Sequence, residues 1–267
     1  MTCQLHVHRW GQRGPTVVCL HSSGLSGFQW KLLADKLSST YQFWAPDFLG
    51  CGQSPTSPHG LDFRYDEDVE QVVALLDQLA TPVLLLGHSY GGFIGLKTAL
   101  QRPHQVQAMG FYEPVLWGGL ASYRGQPIEQ VVARFDPDLH LLNRVMAGST
   151  IWMETFIDYW NGPGSFAAMT ETQRRSMFAL AEKLYAEVRE VVVDRTPHTA
   201  YQALTQPVHI LHGTTSPPEV LAMKEILLEV LPRASSACIP GGHMNPVRNP
   251  LPVNAHFQLF LRNNSPP

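Results

Sequence analysis

Five residues, Gly87-His88-Ser89-Tyr90-Gly91, carry the densest chemical signal in the chain, a G-x-S-x-G pattern. Before them, Pro82 to Leu86 is a short apolar run without helical spacing, as expected of a strand buried on both faces. After them, Phe93 to Leu100 suits a helix, which the proline of Gln101-Arg102-Pro103 stops. A sharp strand-to-helix turn would hold Ser89 in a strained backbone conformation between glycines small enough for the chain to pass close by. Its hydroxyl would stand exposed for nucleophilic attack at the C-terminal edge of the sheet, with the positive end of a helix dipole behind it. Five such residues recur by chance in glycine-rich chains, but the strand before and the stopped helix after make chance the poorer reading.

Other residues fall where such a serine would need help. His21-Ser22-Ser23-Gly24 follows the apolar run Thr16 to Leu20. A loop after a central strand can turn backbone N–H groups toward the serine, so Ser22 and Ser23 are candidates for one half of an oxyanion hole. Capping of the next helix, from about Phe28 to Leu37, is a compatible second role. Glu113 ends the predicted strand Val106 to Tyr112. Asp47 opens the turn Asp47 to Ser54, where hydrogen bonds to loop N–H groups are its expected work.

Composition narrows the classes. The 267 residues carry a formal charge of -3, 15% charged and 44% hydrophobic side chains. That describes a globular chain with no electrostatic case for nucleic acid or an anionic membrane surface. A single domain with an insertion is expected, and the absence of a leader-like start or a membrane-length apolar run points to a soluble, cytoplasmic protein. Cys3, Cys19, Cys51 and Cys238 form no C-x-x-C pair, and the 12 histidines no H-E-x-x-H. No metal and no cofactor is expected, His6 and His8 are read as surface residues, and Cys19 and Cys238 as core thiols.

The elements that must position these residues alternate. Strands are predicted at Leu5 to Trp10, Thr16 to Leu20, Gln42 to Pro46, Pro82 to Leu86, Val106 to Tyr112, Val208 to Leu211 and Ser235 to Ile239. Helices are predicted at Tyr65 to Leu79, Glu219 to Leu231 and Leu251 to Leu261, with a loose tail from Asn263. The expected fold is α/β, a mostly parallel sheet with helices on both faces and ligands at the C-terminal strand ends. From 115 to 203 the alternation breaks. Helical candidates at Ile128 to Phe135, His140 to Ala147, Thr150 to Trp160 and Gln173 to Val188, with one strand at Val191 to Val193, read as a helical lid between core segments 1–114 and 204–267. Most of its aromatic residues should pack it onto the sheet. Trp117, Trp152, Phe156 and Trp160 are candidates to line a substrate pocket, with His88 and Met244, so the substrate should be a small molecule with an apolar part.

Together the His21-Ser22-Ser23-Gly24 loop, the Asp47/Gly50/Gly52/Ser54 turn, the Gly87-to-Gly91 elbow and the late Gly242-His243 resemble the α/β-hydrolase superfamily in the family's order, over nearly the whole chain. The resemblance implies Ser89 as nucleophile, His243 as general base and, as oxyanion donors, Tyr90 N–H with Ser23 or Ser22 N–H. Two departures stand out. Ser22 replaces the glycine of the usual His-Gly, and Thr214, Thr215 and Ser216 occupy the turn where the family's aspartate is sought. Some members place the acid after the strand that follows the elbow strand, and there this chain has Glu113. Glu219 is the alternative acid and Asp194 a further one. The implied activity is cleavage of an ester, thioester or related acyl bond through an acyl-serine. Carbon–carbon hydrolysis, lactone opening and perhydrolysis are alternatives, and a non-catalytic small-ligand binder is one of another class. Oligomeric state is not readable.

Overall fold

The computed structural model describes residues 4–265. Seven strands form one sheet in the order β1-β3-β2-β4-β5-β6-β7. They are β1 (Val7–Trp10), β2 (Thr16–Leu20), β3 (Gln42–Pro46), β4 (Val83–His88), β5 (Val106–Tyr112), β6 (Val208–Gly213) and β7 (Ala234–Ile239). All neighbours pair in parallel except β1, which lies antiparallel to β3 because the short Gly11-to-Pro15 turn leaves no room for a crossover. The strand order reverses beside β4, so the C-terminal ends of β2, β4 and β5 open into a common crevice.

Both faces are covered, which is why Val83 to Leu86 of β4 are all apolar. Leu84 and Leu86 pack with Trp30, Leu33, Phe257 and Leu261, beneath α1 (Lys31–Leu37) and α11 (Pro250–Asn264). Val83 and Leu85 face the opposite way, onto Val69, Val72, Phe93 and Leu96 of α2 (Tyr65–Leu76) and α3 (Tyr90–Gln101). The core edge behind β6 is closed by α9 (Pro218–Val230), and α10 (Asn245–Arg248) is a single turn after the β7 loop.

Between β5 and β6 the chain is helical: α4 (Trp117–Arg124), α5 (Ile128–Val132), α6 (Thr150–Asn161), α7 (Glu171–Ala179) and α8 (Ala181–Val193), with short 3-10 turns. Several expectations are corrected here. Val191 to Val193 is the last turn of α8 rather than a strand; tertiary packing of Val191 and Val192 overrides the β-branched preference. The helix expected over Gln173 to Val188 breaks at Leu180, since α7 buries none of its residues while α8 buries a full apolar stripe. His140 to Ala147 forms two single 3-10 turns, because the Asn143 side chain takes Val145 N–H at 3.0 Å and diverts the backbone from a helix. Asn263 and Asn264 continue α11 instead of forming a tail. Cys238 faces solvent on the edge strand β7, not the core, whereas Cys19 and Cys51 are buried; Cys3 lies outside the described residues.

Candidate active site

The turn from β4 into α3 places Ser89 at φ 54°, ψ -117°, a region that a side chain adopts only when the surroundings force it. Those surroundings admit no side chain beside it. A Cβ at Gly91 would lie 2.3 Å from Leu20 O, and one at Gly87 2.7 Å from Gly91 O. Ser89 N–H donates to Tyr112 O at 3.0 Å, tying the elbow to β5.

Three side chains from distant positions then meet. The His243 ring stands with Nε2 2.9 Å from Ser89 Oγ and Nδ1 2.7 Å from Glu113 Oε2. Glu113 also has a positive φ, 46°; Ser89, Glu113 and Leu139 are the only non-glycine residues with one among the described residues. Its other oxygen, Oε1, accepts Gly213 N–H at 2.7 Å and the Ser216 hydroxyl. The turn after β6, which holds no aspartate, therefore donates hydrogen bonds to a carboxylate arriving from β5. All three residues are at most 5% exposed. A carboxylate so buried is tolerated because every contact stabilises its charge, and its geometry fixes His243 with Nδ1 protonated and Nε2 free to accept from Ser89.

The other expected acids lie elsewhere. Glu219, on the first turn of α9, accepts the Tyr159 hydroxyl at 3.2 Å, and Asp194 is paired with Lys97 Nζ at 2.7 Å. Neither is hydrogen-bonded to His243.

The oxyanion side is built by two backbones. Tyr90 opens α3, so its N–H points out of the helix start. Ser22 N–H donates to Gln29 Oε1 at 3.1 Å, which leaves Ser23 as the loop residue suited to the second donor. A missed connection runs on from Gln29: its Nε2 donates to His88 Nδ1 at 3.2 Å, and His88 Nε2–H donates to His243 O at 2.9 Å. The ring is wholly buried, and burial holds its pKa well below the ordinary value, so it is a neutral strut between the Ser22 loop and the His243 loop. His88 is thus not a pocket residue, because the elbow turns it beneath the site. His21 is a similar strut, donating Nδ1–H to Ser22 O at 2.8 Å and accepting Phe48 N–H at 2.9 Å, with burial lowering its pKa to about 4.

Above Ser89 lies a cavity of about 290 Å³ whose walls include Trp117, Phe156, Trp160 and Met244. Trp160 stacks on the His243 ring, 4.1 Å between centroids. Trp152 is excluded: it is wholly buried within the helical segment, donating its indole N–H to Leu141 O at 3.2 Å. The lining also contains Glu187 of α8 and, at the rim, Arg248, neither of which sequence spacing had marked.

Away from this cavity, His6, His8 and Asp47 bring potential metal-ligating atoms within 4.8 Å of one another. Asp47 is already committed, accepting Gly27 N–H at 2.7 Å, Gln53 N–H at 2.8 Å and His8 Nε2 at 3.1 Å. Its role in holding the turn is as expected.

Known proteins resemble this chain in sequence and in fold. Lipase LipV of Mycobacterium tuberculosis is 36% identical over 118 residues, 43% of this chain and 44% of the lipase. The pimeloyl-(acyl-carrier protein) methyl ester esterase of Aeromonas salmonicida is 34% identical over 103 residues, 39% of each chain. The chain thus spans less than half the length of these relatives. A solved thermophilic esterase from Thermogutta terrifontis superposes with a TM-score of 0.71 at 18% identity, covering 98% of this chain and 94% of that one, a likeness of fold. The model of the alpha/beta hydrolase family matches residues 17–256, from β2 into α11, and the chain belongs to that family.

Proposed function

We propose that the protein is a serine hydrolase that cleaves an ester, thioester or related acyl bond of a small, partly apolar molecule through an acyl-Ser89 intermediate. The observation that carries this reading is the unbroken line of contacts from Glu113 through His243 to Ser89 Oγ, at 2.7 and 2.9 Å. A serine hydroxyl is a weak nucleophile at neutral pH, and an imidazole held at its oxygen supplies the basicity it lacks. Attack on the carbonyl carbon passes the serine proton to His243 Nε2, and Glu113 stabilises the imidazolium. The tetrahedral oxyanion is met by Tyr90 N–H and Ser23 N–H; loss of one such donor typically costs about 3 kcal/mol. His243 then protonates the leaving group, and water attacks the acyl-serine with His243 as base again.

Segment 115–203 serves as a lid that excludes water and offers an apolar wall for the substrate. The relatives' activities, a lipase and a methyl ester esterase, agree with acyl chemistry. A small-molecule substrate and a cytoplasmic location belong to the same reading; among the described residues no helix is long and apolar enough to cross a membrane.

A fluorophosphonate probe tests the reading. Covalent labelling of the folded protein that disappears in Ser89→Ala is expected. A folded protein that takes no label, or one labelled equally without Ser89, overturns it in favour of a ligand-binding role.

A further inference from the structure

The cavity wall holds, besides the triad, a carboxylate with no use in that mechanism. Glu187 lies on α8, is 1% exposed, and neither of its oxygens has a hydrogen-bond partner among the described residues. Every other buried carboxylate there accepts at least one hydrogen bond: Asp47 and Glu113 as above, Asp68 from Leu49 N–H, Asp136 from Leu141 N–H, Glu190 from Tyr65 N–H. Asp194 and Glu219 are the paired residues already described. Leaving such a group unpartnered costs stability, and natural chains rarely do so without a reason.

The neighbours explain why Glu187 is left over. Lys183, one helical turn earlier, stands 3.5 Å from Glu187 Oε1 but donates to Asp68 Oδ2 at 2.7 Å and lies over the Phe63 ring. Asp68 also accepts the Tyr90 hydroxyl at 2.9 Å. Lysine and aspartate satisfy one another behind the wall, and Glu187 remains on the cavity side, among Val188, Val191 and the Ser23 loop. A Cβ placed on Gly24 would meet Leu184 Cδ2 at 3.2 Å, so α8 packs directly over the oxyanion loop. Glu187 thus keeps only a long contact to Lys183 and the neighbourhood of the Ser23 hydroxyl, in the same cavity wall as the oxyanion loop.

We propose that Glu187 is a specificity-determining residue that takes a hydrogen bond from an uncharged donor, a hydroxyl, carried by the substrate close to its reacting carbonyl. Lys183 at 3.5 Å opposes a second cation, so the site fits a neutral donor better than an ammonium group. The inference rests on the hydrolase reading above and adds the substrate's class: an apolar acyl compound bearing one hydroxyl near the scissile bond. A site built to receive a hydroxyl rejects the analogue lacking it far more strongly than an apolar wall could.

The test compares p-nitrophenyl esters of butyrate, 3-hydroxybutyrate and 4-aminobutyrate. The hydroxy ester should exceed the plain ester in kcat/KM by about 10-fold or more. That ratio should fall to near one in Glu187→Leu and be partly kept in Glu187→Gln, whose carbonyl still accepts. Binding of the corresponding phenyl esters to Ser89→Ala, followed by tryptophan fluorescence, should show the same ranking without turnover. Equal affinities and rates for plain and hydroxy esters, or a preference that survives in Glu187→Leu, overturn the inference. So does a preference for the amino ester. Hydrolysis lost from all esters while the hydroxy ester still binds best to Ser89→Ala would overturn the hydrolase reading and leave the role of Glu187 standing.

Discussion

Two buried glutamates serve the same site, Glu187 in the cavity wall and Glu113 behind His243, and they are built on opposite principles. Glu113 sits at a strand end and spends both oxygens on fixed donors from β6 and the His243 loop. Glu187 sits on a helix of the inserted segment and has neither oxygen in a hydrogen bond, with Lys183 Nζ 3.5 Å from Oε1. The first is held in one geometry by backbone that cannot move without disturbing the sheet. The second has as its neighbour Lys183, itself paired with Asp68, and lines the cavity that a ligand would enter. The difference separates a group that must keep its charge and position through the reaction from one suited to meet a ligand.

The largest effect that could break this comparison is at Glu113. Glu113→Gln should lower kcat by about 10²–10⁴-fold, since an amide can neither stabilise the imidazolium nor enforce the histidine tautomer. Circular dichroism should still report a folded chain. The same change at Glu219 should leave turnover within a few-fold of wild type. If Glu219→Gln is the damaging substitution instead, the acid moves to α9 and the contrast dissolves.

Lys183→Met comes next. It would strip Asp68 of its cation and leave Glu187 still more isolated, with a like charge nearby. Breaking a buried pair in this way typically costs about 3–5 kcal/mol. Urea unfolding should show a loss of that order, and Lys183→Met/Asp68→Asn should recover part of it. A loss below about 1 kcal/mol would mean that water reaches the pair and that Glu187 is not the sheltered group argued for above.

What the sequence disclosed follows the same division. Strands and elbow were legible because each rests on local rules: β4 is an apolar run between breakers, and Ser89 is flanked by glycines that the turn requires. Glu113 could be weighed but not settled, since its claim depends on Ser216 and Gly213 arriving from 100 residues away. Glu187 gave no signal. It occupies a helical stretch rich in charge, AEKLYAEVRE, where a glutamate four residues after a lysine reads as an ordinary surface pair. Only the packing of α8 over the oxyanion loop buries it. His88 and Trp152 misled for the complementary reason, because aromatic character and nearness to the serine in sequence do not say which way a ring points.

The smallest effect is the most specific to Glu187. Burial, reinforced by Asp68 and only partly offset by Lys183 and the nearby Ser23 hydroxyl, raises its carboxyl from the ordinary 4.5 to about 7. The folded protein then holds this proton more tightly than the unfolded chain. The contribution of this one group to stability should be greatest below pH 4.5, decline as pH rises through the interval to about 7, and stay level above it. In Glu187→Gln that decline is removed, so the variant should gain on wild type across this interval by roughly 1–3 kcal/mol, the upper figure being the full shift at 1.36 kcal/mol per pH unit. His21 acts in the opposite sense, its lowered pKa making the fold lose stability as pH falls from 6.5 toward 4. Because His21 is present in both proteins, its contribution cancels in the difference between their unfolding curves. A difference that is flat from pH 4.5 to 7 would place Glu187 in contact with water. A difference that grows with pH marks a carboxyl sheltered from water, and a hydroxyl-bearing ligand should then reduce it by stabilising wild type more than Glu187→Gln.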